Sequence, residues 1–265
     1  MTENRDDALN RDDALNRDDA LGRVRVVLSH TSHPGNIGAA ARAMKTMGLS
    51  DLRLINPLHF PDDMAVAMSS GATDVLDAAQ VFDTMEDALT GTVVVAGCTA
   101  RARGLSHAWL TAREGAELLM AHAVHEPVAL VFGTEMSGLS NAELDLCQLL
   151  IHIPANPLCS SLNLAAAVQV LAYELRQALT FPVVEQVQPR PLARHEEMER
   201  FYHDLELALI EIDFLNPLMP RRLMVRLRRL FARAQPEHEE FDMLMGILKQ
   251  IRKTAAIGQG VSGEK

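Results

Sequence analysis

A chain of 265 residues with 48% hydrophobic side chains is long enough for one large domain, or for one domain and an appendage. No apolar run approaches the roughly 20 residues that cross a bilayer. The acidic N-terminus has no apolar signal segment, and Cys98, Cys147 and Cys159 lack the spacing of a disulfide framework or zinc site, so a cytoplasmic protein without membrane or structural metal is expected. The net charge of -10 excludes a surface that is basic throughout, yet leaves room for a local basic face.

The chain opens on a tandem repeat, RDDALN at 5–10 and 11–16 and RDDALG at 17–22. A charged hexapeptide in three copies cannot build a packed core. Residues 1–22 therefore read as a disordered, dispensable acidic tail.

From Arg23 the texture changes. Strands are predicted at 24–28, 52–56, 92–97, 128–133 and 149–153. Helices are predicted at 35–47, stopped by Gly48, and at 111–123, 142–147 and 162–179. Strands alternating with helices specify an α/β domain with a parallel sheet over 23–180. The strands are apolar throughout rather than alternating, as in a sheet covered on both faces. Pro182, Pro189 and Pro191 mark a linker over 181–194. Residues 195–256 read as a small all-α extension and 257–265 as a disordered tail.

Four loops carry possible chemistry. HPGNIGAAAR at 33–42 follows the first strand and places Gly35 and Gly38 at a strand-to-helix turn. It is not a dinucleotide fingerprint, because the third glycine is missing and the second strand ends in Asn56-Pro57 instead of an acid. Its informative residues are Asn36 and Arg42, the latter a salt-bridge partner or a phosphate clamp. GCTARAR at 97–103 sets Arg101 and Arg103 beyond a strand C-terminus, either at the mouth of a site or in a solvated loop. FGTEMSGLS at 132–140 combines Gly133, suited to close backbone approach, with Glu135 in a turn and a Ser140–Glu143 capping box. The segment 151–175, IHIPANPLCSSLNLAAAVQVLAYEL, brings Ser160, Ser161 and Asn163 to the start of an alanine-rich helix.

Together NIGAAAR (36–42), FGTEMSGL (132–139) and IP…SSLNL (153–164) resemble the three signature regions of the SPOUT, or knotted, RNA 2'-O-ribose methyltransferases. With the helical extension, the nearest likeness is to the bacterial TrmJ type, which methylates the ribose of the pyrimidine at position 32 in the tRNA anticodon loop. The resemblance implies a C-terminal trefoil knot, a homodimer, tRNA as partner and S-adenosyl-L-methionine as methyl donor. Carried over by motif, the donor pocket is Cys98, Thr99, Ala100, Gly133, Ile153, Ser160, Ser161 and Leu162. Arg42 is assigned to catalysis, gripping a phosphate and stabilising developing alkoxide, with Asn36 orienting it. Ser161 is assigned to the ribose or the donor carboxylate. Arg42, Arg101, Arg103 and Glu135 are expected at the RNA. Thr134 stands where some relatives carry a basic residue. Another tRNA or ribosomal RNA position, or a non-catalytic RNA-binding knot protein, are the alternatives.

In the extension, Leu223, Leu227, Leu230 and Phe231 recur at helical spacing and form an apolar stripe that is expected to be buried. Arg222, Arg226, Arg229 and Arg233 share another face. Either these arginines form a phosphate-binding ridge, or they pair with the acidic helix at 195–214. His30, His33 and His59 receive no role.

Overall fold

In a computed structural model, which describes residues 19–100, 108–180 and 191–262, the apolar runs become seven strands: β1 (Val24–Ser29), β2 (Asp51–Ile55), β3 (Gln80–Phe82), β4 (Val94–Cys98), β5 (Ala108–Thr111), β6 (Val128–Phe132) and β7 (Leu149–His152). They form one sheet in the order β3-β2-β1-β6-β4-β7-β5, with every neighbouring pair parallel. Residues of β6 are buried along its whole length, between β1 and β4. A strand covered on both faces gains from an apolar side chain at every position, which is why VALVF does not alternate.

Helices cover both faces: α1 (Pro34–Met47), α2 (Asp63–Ser69), α3 (Thr73–Asp77), α4 (Met85–Leu89), α5 (Ala112–Ala123), α6 (Asn141–Asp145) and α7 (Leu164–Thr180). Helix α1 starts with Pro34 in its first turn and with the Gly35 N–H donating to His33 Nδ1, and it stops at Gly48 in the left-handed region, φ 89°. Its small residues allow very close packing. A Cβ on Gly38 would lie 2.0 Å from the Ala65 carbonyl oxygen of α2. Helix α7 packs on α1 and α5. On one face of the sheet, Val27, Val95, Val131 and Leu150 close a core with Met85 and Leu89 of α4 and with Leu139, Leu144 and Cys147 around α6.

Three differences from the sequence reading have physical causes. The stretch 57–91 holds α2, α3, β3 and α4, all too short to show a period. Strand β3 is an exposed edge, with Val81 53% accessible. Helix α7 begins at Leu164 instead of Leu162, because Asn163 Oδ1 caps it by accepting from the Ala165 and Ala166 N–H groups at 2.9 and 3.3 Å. The repeat is not a tail to its end: Ala20–Arg23 is a 3-10 helix whose Ala20 and Leu21 are buried against this unit. The rest of the repeat, the residues of the 181–190 segment and 263–265 lie outside the described residues.

The chain divides into two compact units, Met1–Pro189 and Arg190–Lys265. The second contains α8 (His195–Glu211), α9 (Leu223–Ala234) and α10 (His238–Ser262). Met198, Phe201, Tyr202, Phe241 and Leu248 form its core, joined by Met224 and Phe231. Phe201 and Phe231 meet edge to face at 4.7 Å. Leu230, expected on the buried stripe, is 49% accessible, so the inward face of α9 is rotated toward Met224.

Candidate active site

β4, β6 and β7 are neighbours, so the loops leaving their C-terminal ends meet. Those loops enclose a cavity of about 310 Å³, lined by Cys98, Thr99, Ala100, Gly133, Ile153, Ser160, Ser161 and Leu162, with Leu164 and Ala167 of α7 behind. All eight residues assigned to the donor pocket thus face one space. The Thr99 N–H donates to the Ile151 carbonyl at 3.0 Å and fixes the first loop to β7. The second loop doubles back on itself. A Cβ on Gly133 would lie 2.2 Å from the backbone of Gly138 and Leu139, so only glycine fits there. Thr134 bridges to Gly138, and its hydroxyl accepts from the Ser137 N–H at 3.2 Å. In the third loop, Asn156 Oδ1 accepts from the Leu158 N–H at 3.0 Å, a turn that delivers Cys159, Ser160 and Ser161 to the cavity.

One hydrogen-bonded chain joins the three motif segments. Glu135 accepts from the Ser32 N–H and hydroxyl, the His33 N–H and Asn36 Nδ2, at 3.0–3.2 Å. Asn163 Nδ2 in turn donates to Asn36 Oδ1 at 3.0 Å. Partial burial raises the Glu135 pKa, but the bonds from Asn36, Ser32 and His33 outweigh it, and the carboxyl sits below its ordinary value. Glu135, expected to face RNA, instead spends its oxygens on the start of α1. Asn36 does not orient Arg42: its amide is committed to Glu135 and Asn163.

Arg42 lies on the exposed side of α1 without an ion partner among the described residues. Burial pushes the Cys98 thiol up to about 12, so it lines the cavity as a neutral group. Arg101 and Arg103 fall outside the described residues. The sequence reading missed Ser32 and His33 as anchors of the Glu135 chain, although Ser-His-Pro before a helix is a capping signal. It also missed Ser29, whose buried hydroxyl donates to Glu143 and meets His30 Nδ1 at 2.8 Å.

In the helical unit the two alternatives for the arginines fall on different residues. Arg228, left out of the ridge, forms a two-bond pair with Glu199 and lies 4.4 Å from the Tyr202 ring centre. Arg222 and Arg226 are exposed and have no ion partner among the described residues. Arg229 is half-buried, and its Nε has no hydrogen-bond partner among the described residues.

The first unit matches the SpoU rRNA methylase family over residues 23–173, and the second matches the C-terminal domain of the tRNA methyltransferase TrmJ over residues 196–260. The chain is 49% identical to the tRNA (cytidine/uridine/adenosine-2'-O-)-methyltransferase TrmJ of Pseudomonas aeruginosa, over 88% of this chain and 95% of that one. It is 48% identical to the tRNA (cytidine/uridine-2'-O-)-methyltransferase TrmJ of Klebsiella pneumoniae, over 87% and 96%. The crystal structure of TrmJ from Z. mobilis superposes with a TM-score of 0.76 at 32% identity, covering 86% of this chain and 98% of that one.

Proposed function

The chain belongs to the SpoU RNA methylase family and, through its helical unit, to the TrmJ branch of it, and on that premise we propose that it methylates the ribose 2'-hydroxyl of the pyrimidine at position 32 in the tRNA anticodon loop, with S-adenosyl-L-methionine as donor. The observation that carries this reading is the convergence of three separated loops on one cavity, held by the Asn163–Asn36–Glu135 chain. The cavity suits the donor. Its volume lies in the range of small-molecule sites. Phe132, Ile153 and Leu162 offer apolar walls, Ser160, Ser161 and Thr99 offer hydroxyls, and Gly133 leaves backbone exposed where a side chain would intrude.

When bound, the donor supplies an activated methyl group and its own leaving group. The protein supplies alignment. The doubled-back loop at Gly133 and the turn at Asn156 fix the walls, and Asn163 caps α7 so that Ser160 and Ser161 stay at the rim. Arg42 takes the phosphate beside the target ribose and stabilises negative charge developing on the 2'-oxygen. A guanidinium serves there as a stabiliser and not as the proton acceptor. The trefoil knot is inferred from membership of this family. A homodimer is inferred on the same ground, and α1 and α7, which pack on one another, leave Arg42, Thr46 and the 46% accessible Tyr173 exposed for it. Action on tRNA supports a cytoplasmic location.

The test is mass mapping of tRNA treated with purified protein and labelled donor, paired with calorimetry of donor binding. A 2'-O-methyl group at position 32 and stoichiometric donor binding are expected. Methylation at another position would leave the chemistry standing and overturn the target. Donor binding without transfer to any RNA would favour the non-catalytic alternative. The P. aeruginosa relative is named for adenosine as well as the pyrimidines, so adenosine belongs beside cytidine and uridine at position 32 of the assay transcripts.

A further inference from the structure

We propose that residues 212–226 of the helical unit form a reader of unpaired RNA, in which Phe214 stacks on a splayed base and Leu218 and Met219 pack against its neighbours, while Arg221, Arg222 and Arg226 hold the flanking phosphates. This deepens the tRNA reading and rests on it.

Two properties of the segment coincide. Large apolar side chains stand out in solvent: Phe214 is 67%, Leu218 89% and Met219 65% accessible. The backbone that presents them is nevertheless fixed. Leu215 is buried as an anchor, and the N–H groups of Phe214 and Leu215 both donate to the Leu209 carbonyl at 3.0 and 2.9 Å. Asn216 builds the tip, its Oδ1 accepting from the Leu218 N–H at 2.9 Å and its carbonyl from the Met219 N–H at 3.0 Å. Pro217 and Pro220 restrict what is left. A rigid loop loses little entropy on binding, so exposed apolar area there is available to a ligand.

Charge selects that ligand. Asp213 opens the segment, but from Phe214 to Pro236 the sequence has six arginines and no acid. Arg221, Arg222 and Arg226 are exposed, with no ion partner among the described residues. A partner that offers both flat apolar faces and regularly spaced negative charge is a single-stranded nucleic acid. A paired helix hides its base faces and would leave the apolar tip unused.

Fluorescence anisotropy of full-length protein with tRNA across a potassium chloride series tests this. The variant Phe214→Ala, Leu218→Ala, Met219→Ala is expected to bind about tenfold more weakly with an unchanged salt slope, since stacking and not phosphate contact is removed. Arg221→Ala with Arg222→Ala should lower that slope by about two. Phe214→Trp should keep affinity, and its fluorescence should be quenched by tRNA. Unchanged affinity in the triple variant would overturn the proposal. An equal loss on fully paired RNA would overturn it too, as would loss of binding to phosphatidylserine vesicles with tRNA affinity intact, which would assign the tip to membranes. If the triple variant does not fold, by circular dichroism, Leu218→Ser at its 89% accessible site reads the same effect in smaller size. Wild-type protein that fails to methylate tRNA sinks the parent reading, whereas active wild type beside an unaffected triple variant sinks this inference alone.

Discussion

The two units solve opposite problems with their polar groups. In the sheet unit the side chains that join the motif loops are turned inward on one another: Glu135, Asn36 and Asn163 satisfy each other and the start of α1. In the helical unit only part of the arginine set is spent that way, on Arg228–Glu199 and on Arg252–Glu211 at 2.9 Å, while Arg222 and Arg226 stand in solvent. The first arrangement preorganises a cavity, since groups fixed before binding cost nothing to order afterwards. The second leaves charge available for a polyanion, whose release of counterions drives association. Substitutions in the sheet unit should therefore act on geometry and chemistry, and those in the helical unit on affinity and its salt dependence.

The largest expected effect is at a sheet-unit side chain that breaks the pattern. Arg42 is exposed and unpaired among the described residues, like the arginines of the other unit. Arg42→Ala is expected to lower methyl transfer at least 10³-fold, on the scale of a lost charge-stabilising group, with donor affinity by calorimetry within a few-fold of wild type. Survival of turnover would move Arg42 to the affinity class and blur the division. Next comes Gly133→Ala. Its Cβ would strike backbone 2.2 Å away, so the loop must move and the cavity must reshape. Donor binding should weaken about 100-fold or more (roughly 3 kcal/mol), while tRNA binding through the helical unit persists.

How much of this was legible in the sequence follows the same division. Strands buried on both faces announce themselves by nearly continuous apolar runs, so VALVF, LLI and VRVVL with its single Arg25 are read directly. The motif glycines and the Ser140–Glu143 cap are local in origin and equally readable. What could not be read is contact between distant segments. Asn36 and Arg42 share a helix, and sequence spacing suggested that one orients the other; the actual partners of Asn36 lie 99 and 127 residues away. The phase of α9 was misread for a related reason. Leu230 and Phe231 are adjacent and apolar, and only the aromatic cluster with Phe201 and Tyr202 decides which of them turns inward.

A middle-sized effect sharpens the contrast from the helical side. Arg222→Ala with Arg226→Ala should weaken tRNA binding uniformly, about tenfold at moderate salt, and reduce the salt slope by about two. Turnover at saturating tRNA should be unchanged. A fall in saturated turnover would mean that these arginines position the bound tRNA and do not merely capture it.

The smallest effect tests whether the Glu135 chain is structural. Its carboxyl lies below the ordinary value in the folded protein, so the folded state binds the proton less readily than the unfolded chain. Its stabilising contribution is therefore complete above the ordinary carboxylate range and fades as pH falls through that range toward the depressed value. Glu135→Gln keeps the size and one acceptor oxygen but removes the charge that accepts from Ser32, His33 and Asn36. Denaturant unfolding at neutral pH should show a loss of about 1–2 kcal/mol, the scale of hydrogen bonds to a charged acceptor. That deficit should shrink as pH falls through the ordinary carboxylate range, where the unfolded chain takes up the proton that the folded carboxylate still resists. A deficit that stays constant down to acid pH would mean that the charge on Glu135 is not what ties the first motif to the second, and that the loop holds its place through Gly133 alone.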